Sequence, residues 1–124
     1  MRNLAFLLIL LSASASAAWK SVAEDNDGVT YVDPAAVVKN GTVARMWSVL
    51  DYKNFQRMVE VGYFSQKAEL EFDCAKRQFR GLRVALHAEH MGEGKAIYTD
   101  ESPHEWEEIS PGGLSETLWK IACS

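Results

Sequence analysis

"YFSQKAELEFDC", from Tyr63 to Cys74, alternates in the way a strand with one buried face must. Phe64, Ala68, Leu70, Phe72 and Cys74 fall on one side, with Gln66 the exception. Ser65, Lys67, Glu69, Glu71 and Asp73 fall on the other. Successive strand side chains point to opposite faces. Cys74 is therefore aimed with the apolar set, toward whatever covers that face.

The same period spreads outward in both directions. "LRVALHAE" (Leu82–Glu89) sets Leu82, Val84, Leu86 and Ala88 against Arg83, Ala85, His87 and Glu89. On the N-terminal side "TVARMWSVLDY" (Thr42–Tyr52) is apolar on both faces, with Trp47 and Val49 on one and Met46 and Leu50 on the other. A central strand covered on both sides reads this way. Asn40-Gly41 marks a tight turn before it. Asn40-Gly41-Thr42 is also formally a glycosylation acceptor, and on either reading its tip is exposed. Two shorter strands, Trp19–Ala23 and Val29–Asp33, flank "EDNDG", a hairpin turn by its Asp-Gly. "MGEG" is a further turn, "GKAIYTDE" the last long strand, and "HEWEEI" a short one.

The end of the chain changes period. Leu114, Leu118, Ile121 and Ala122 recur at helical spacing. Either Ser110 caps this helix with Pro111 at its first position, or Ser115 caps a later start because Gly112-Gly113 favours a loop. Glu116 near the start and Lys120 near the end suit the helix dipole. So short a helix is marginal alone in water and must pack. Leu118, Ile121 and Ala122 offer the face for it.

The first residues, "MRNLAFLLILLSASASA", read as an export signal. Arg2 gives the positive start, Leu4 to Leu11 the apolar stretch, and Ala15-Ser16-Ala17 the small-residue cleavage site. The apolar run is far shorter than the ~20 residues of a spanning helix, and no later stretch qualifies. Cleavage after Ala17 leaves residues 18–124, about the size of one domain. Such a chain buries about two-thirds of its unfolded surface, enough for a core without metals. The full chain carries a net charge of -4, and losing Arg2 makes it slightly more acidic. That balance excludes the basic footprint of a nucleic-acid binder.

Cys74 and Cys123 are the two cysteines of the sequence. In an exported chain an even count is read as a disulfide, and two cysteines allow one intramolecular pairing. Closing a loop of about 50 residues is worth ~4 kcal/mol in the chain-entropy picture. Neither cysteine lies at the cleavage site, so the expected product is periplasmic or secreted and not a lipoprotein.

Chemistry candidates are few. Asp25, Asp27 and Gly28 resemble part of a calcium loop, but Ala23 and Pro34 occupy positions where it needs acidic residues. His87 and His90 are three apart, which on a strand sends them to opposite faces; with His104 they read as structural. No nucleophile elbow or phosphate-binding loop occurs, so no catalytic residue, metal or cofactor is assigned. "CAKRQFRGLR" places Lys76, Arg77, Arg80 and Arg83 within eight residues against an acidic background. They form either a patch for an acidic partner or a strand end neutralised by the acidic "TDESPHEWEE". Trp47 and Trp119 are expected in the core. Trp19 and Trp106 are expected at its rim, with binding anchors as the other reading.

The ordered set "DGVTYVD", "MWSVLDY", "SQKAELEFDC", "HMGEG" and "EWEEISPGGLSETLWKIAC" resembles the surface-adhesin protein E-like family of small exported bacterial proteins. The resemblance covers nearly the whole exported chain. It implies an α+β fold: an antiparallel sheet of about six strands with one C-terminal helix on its concave face. It also implies that a disulfide ties helix to sheet, through Cys74 and Cys123. The family's adhesin binds host extracellular-matrix and serum proteins and forms dimers, so a protein partner and a homodimer are implied here. The family's adhesin is a lipoprotein, which this sequence does not match. The resulting expectation is an exported, non-enzymatic binding module. The alternative is a periplasmic inhibitor or stress-related factor acting on a cell-wall enzyme.

Overall fold

The strand signalled by Tyr63–Cys74 lies at the centre of one open antiparallel sheet. The computed structural model describes residues 18–124; the export signal and its cleavage site, residues 1–17, lie outside the described residues. Eight strands run β1 (Lys20–Glu24), β2 (Gly28–Val32), β3 (Val38–Asn40), β4 (Val43–Met58), β5 (Val61–Asp73), β6 (Gln78–His87), β7 (Ala96–Asp100) and β8 (Glu107–Glu108). One helix, α1 (Leu114–Cys123), follows. The order across the sheet is β1-β2-β4-β5-β6-β7, with β3 also on β4 and β8 also on β6.

The expected sheet of about six strands is present as six rows, and proline explains why eight strands make them. β2 and β3 pair with successive stretches of the same edge of β4. They are separated by a single helical turn at Pro34–Ala36. β7 and β8 likewise share the outer edge of β6, with Pro103 between them. Proline has no N–H to give a ladder. The sheet thus has six rows, two of them interrupted.

On one face Val32, Ala44, Met46 and Phe72 are buried beneath Leu118 and Ala122 of α1, with Ile109 beside them. Leu118 and Ala122 were expected to face the sheet and do. Ile121 packs at the margin, while Leu114 stays exposed. The helix starts later than a Ser110 cap requires, and Ser115 does not cap it either. Gly113 takes the cap position without a side-chain bond. Ser110 to Gly113 form a turn closed by the Gly113 N–H on the Ser110 carbonyl, with Gly112 in the left-handed region at φ 76°. The Ser115 hydroxyl accepts the N–H of Ser110 instead.

Cys74 and Cys123 are joined, with their Cα atoms 5.7 Å apart and a sequence separation of 49. Around this link, Trp119 Nε1 donates to the Asp73 carbonyl at 3.2 Å. Lys39 donates to the Ser124 carbonyl. The end of the chain is held by several unlike contacts.

The turn Asp25–Asp27 between β1 and β2 was legible. The Asp25 carboxylate accepts the N–H groups of Gly28 and Asp27, which hold it below the usual carboxylate range. Gly28 has a second reason to be glycine: a Cβ there would lie 2.3 Å from the Asp51 carbonyl oxygen on β4.

Candidate functional site

The face away from α1 carries most of the sheet's charge, arranged as cross-strand rows. Register sets Arg45, Glu71 and Arg80 side by side on β4, β5 and β6. Glu71 is 4% exposed and accepts from Arg45 Nε at 3.0 Å and from Arg80 at 2.7 Å. One row further, Glu69 meets Arg83 at 3.4 Å. Regular alternation would place Arg80 and Arg83 on opposite faces. An irregularity in pairing between Glu69 and Leu70 leaves Leu82 as an extra residue and returns Arg83 to the face of Arg80.

The four basic residues of the strand end are therefore divided. Arg80 and Arg83 stand on this charged face, each against a glutamate. Arg80 also lies over the Trp106 ring at 4.5 Å. Arg77, in the β5–β6 turn, reaches the helix side, pairing with Glu116 at 2.7 Å and covering the Trp119 ring. This contact, followed by the Gly112 N–H, lowers the Glu116 carboxyl below its ordinary value. Lys76 is exposed and makes no ion pair among the described residues. The neutralising acids are Glu69, Glu71 and Glu116, not the "TDESPHEWEE" segment.

The tryptophans also differ from expectation. Trp47 is half-buried on the charged face, where Lys67 Nζ lies 5.3 Å from its ring and 5.9 Å from that of Trp19. Trp119 borders the core without being enclosed.

The largest departure from the sequence reading is beyond Tyr52. β2 pairs with β4 only as far as Tyr52, and β6 pairs with β5 only as far as Ser65. Between these points β4 and β5 continue as a two-stranded arm, paired from Gln56–Tyr63 to Met58–Val61. Four residues, Tyr52 to Phe55, oppose the single Phe64, a large bulge that bends the arm. An isolated two-stranded hairpin is marginal in water, and aromatic packing braces this one. Tyr52 and Tyr63 meet edge to face at 5.6 Å, Phe55 and Phe64 at 5.2 Å, and Phe64 packs on His90 at 4.5 Å. Burial, with Tyr63 alongside, raises the Tyr52 hydroxyl above the ordinary phenol value. The Phe55 ring lies on Gly62, where an added Cβ would fall 1.7 Å from ring carbon.

The base of the arm is fixed by the Glu89–Gly92 segment, which folds back on the charged face. Ser65, fully buried, donates to the Glu89 carbonyl at 2.6 Å and accepts the Gly92 N–H at 2.8 Å. Asp51 bonds His90 Nδ1 and the Met91 N–H, each at 2.9 Å. His87 bonds the Gly94 carbonyl instead. His104 in turn bonds the Asp100 carboxylate at 3.2 Å, and no group of three or more metal-ligating side chains occurs among the described residues.

The tip is the most apolar exposed surface of the arm. Phe55 is 52% exposed, Val59 90% and Val61 44%. Val59 is the first residue of a two-residue connection and has φ 56°. A β-branched residue is strained in that region, where hairpins prefer glycine. The sequence signal for this tip was the V-x-V of Val59-Glu60-Val61 and the lone Phe55. It lay between the strand ending at Tyr52 and the one beginning at Tyr63.

A family model described as surface-adhesin protein E matches residues 19–124. The chain belongs to the surface-adhesin protein E family. The chain has no match among curated proteins. Solved structures of Haemophilus influenzae protein E share its fold. One has a TM-score of 0.67 at 13% identity, covering 87% of this chain and 85% of that one. A second crystal form gives 0.69 at 13% identity, over 87% and 88%. Protein E from non-typeable Haemophilus influenzae gives 0.64 at 13% identity, over 90% and 78%. At this identity the likeness carries the fold alone.

Membership of the surface-adhesin protein E family makes this an adhesin-like, exported chain. Among the described residues no helix is long and apolar enough to cross a membrane. A groove of about 530 Å³ also opens beside the start of α1, lined by Leu50, Ala68, Leu70, Phe79, Leu114 and Leu118 among others. It is the uncovered continuation of the face on which the helix sits.

Proposed function

We propose that this member of the surface-adhesin protein E family is a protein-binding module that engages its partner through the tip of the β4–β5 arm. The observation that carries this reading is the exposure of Phe55, Val59 and Val61 on a projecting hairpin, with Val59 held at positive φ. Exposed apolar anchors on a braced arm suit the dry centre of a protein interface. Strain in a valine at this point favours a role other than folding, since glycine would serve the turn better. A host extracellular-matrix protein is the partner class this reading proposes. The basic strand end is secondary in this reading, because its three arginines are already engaged by glutamates.

The test is binding of the purified domain to immobilised matrix proteins, comparing Val59→Asp and Phe55→Ala with Lys76→Ala. The tip variants are expected to lose at least about tenfold in affinity, as truncation of an interface anchor does, while Lys76→Ala binds normally. A homodimer formed through the same tip would appear as a doubled mass in light scattering that Val59→Asp abolishes.

A second reading is a periplasmic factor acting on a cell-wall enzyme. It is favoured by one observation: both cysteines are consumed by the disulfide, so neither is free to carry a lipid anchor. Protease treatment of intact cells separates the two. Digestion from outside supports adhesion; full protection until the outer membrane is opened supports the periplasmic factor.

A further inference from the structure

Asp33 follows β2 and is 9% exposed. Its Oδ2 accepts the N–H of Ala18 at 3.2 Å. Its Oδ1 is buried and has no hydrogen-bond partner among the described residues. The pairing of Lys20 with Val32 brings the chain just before β1 alongside the residue just after β2, so strand register delivers Ala18 to this carboxylate. One side of Asp33 is also committed to its own backbone, whose carbonyl accepts the Ala36 N–H and closes the helical turn there. A buried carboxylate with one amide partner is poorly satisfied, since its two oxygens can accept several protons. Ala18 is the residue that directly follows Ala15-Ser16-Ala17.

We propose that cleavage after Ala17 completes a charge pair at this site, in which the new α-ammonium of Ala18 docks on the Asp33 carboxylate. The inference rests on reading residues 1–17 as an export signal. In the cut, a signal peptidase adds water across the Ala17–Ala18 bond. Ala17 leaves with a carboxylate, and the amine of Ala18 takes up a proton at neutral pH. The amide N–H offered one proton and no charge; the ammonium offers three donors and a positive charge, enough to serve both carboxylate oxygens. The precursor would therefore hold Asp33 incompletely paired, and the processed chain would lock β1 against β2. The pair is specific to one cut position: a chain beginning at Trp19 lacks the residue that reaches Asp33, and a longer one carries its ammonium elsewhere.

Two measurements test the two halves separately. Intact mass of the exported protein is expected to give a chain starting at Ala18; any other start overturns the processing half. For the pair itself, a chain released from a tag to begin at Ala18 is compared with its N-acetylated form, each with and without Asp33→Asn. Acetylation is expected to lower the folding equilibrium constant about tenfold or more when Asp33 is present and less than about twofold when it is replaced. Adding one glycine ahead of Ala18 keeps Asp33 and should reproduce the loss. Equal effects of acetylation on both backgrounds, or no effect of the added glycine, overturn the pair.

Discussion

Replacing both cysteines, Cys74→Ala with Cys123→Ala, removes the link without leaving a free thiol. The structure sets the size of the effect. The bridge spans 49 residues, which in the chain-entropy picture is worth ~4 kcal/mol of stability. For a domain of this length each kcal/mol moves the thermal midpoint by about 4 °C, so the expected loss is roughly 15 °C. The helix keeps contacts that do not depend on the bridge. Leu118 and Ala122 remain in the core, Trp119 Nε1 remains on the Asp73 carbonyl, and Arg77 remains on Glu116. The variant is therefore expected to fold, with its sheet intact and α1 opening more often. Calorimetry gives the midpoint, and amide exchange shows where protection is lost. Faster exchange confined to α1 and the end of β5 agrees with a staple acting on a docked helix. An unchanged midpoint would refute the reasoning, and so would loss of protection across β1 and β2.

Further outcomes follow from the same structure. Glu71→Ala strands Arg45 and Arg80 together and should cost ~2 kcal/mol, whereas Arg45→Ala should cost under ~1 kcal/mol because Arg45 is half exposed; urea unfolding of both variants checks the order. Val59→Gly relieves a valine at φ 56° and should raise stability by ~0.5–1 kcal/mol, after the entropy glycine loses on folding. Asp25, Asp100 and Glu116 all have lowered carboxyl pKa values. Asp25 owes this first to the Gly28 N–H, Asp100 to the Ser102 N–H and Glu116 to Arg77. A lowered folded-state value adds stability above the unfolded value near 4 and loses it as pH falls further. The urea midpoint should therefore hold from pH 7 to about 5 and decline below about 4, and Asp25→Asn should flatten part of that decline.

Much of the architecture was legible because it rests on period. Tyr63–Cys74 alternates with a buried face, and the structure buries Ala68 and Phe72 on that side and joins Cys74 to the helix. The helix itself announced its packing face through Leu118 and Ala122. What stayed hidden depends on breaks in period. The extra residue at Leu82 reverses the expected face of Arg83 relative to Arg80, and nothing local in "FRGLRV" signals it beyond Gly81. Ser65 read as a solvent-facing residue because its cover, the Glu89–Gly92 segment, arrives from more than 20 residues away. Trp47 read as core because tryptophan is large and apolar, yet its ring serves Lys67.

The site was the least legible part. The sequence drew attention to clustered charge at Lys76, Arg77, Arg80 and Arg83, whereas Arg77 turns to Glu116 on the helix and pairing across strands absorbs Arg80 and Arg83 into the sheet. Glutamates on alternate positions of β5 do this, and their partners are set by register, which one strand read alone does not reveal. The arm was hidden for the opposite reason. Its apolar residues are few and irregularly spaced, and they stand out only once neighbouring strands are seen to stop at Tyr52 and Ser65.

The most direct test of the arm as the binding element uses Val59→Gly. This change should leave the fold at least as stable while removing the most exposed apolar side chain of the tip. Binding to immobilised extracellular-matrix protein is measured beside thermal stability on the same sample. The account predicts an unchanged or higher thermal midpoint together with a clear loss of binding. A variant that binds as tightly as the parent would contradict it.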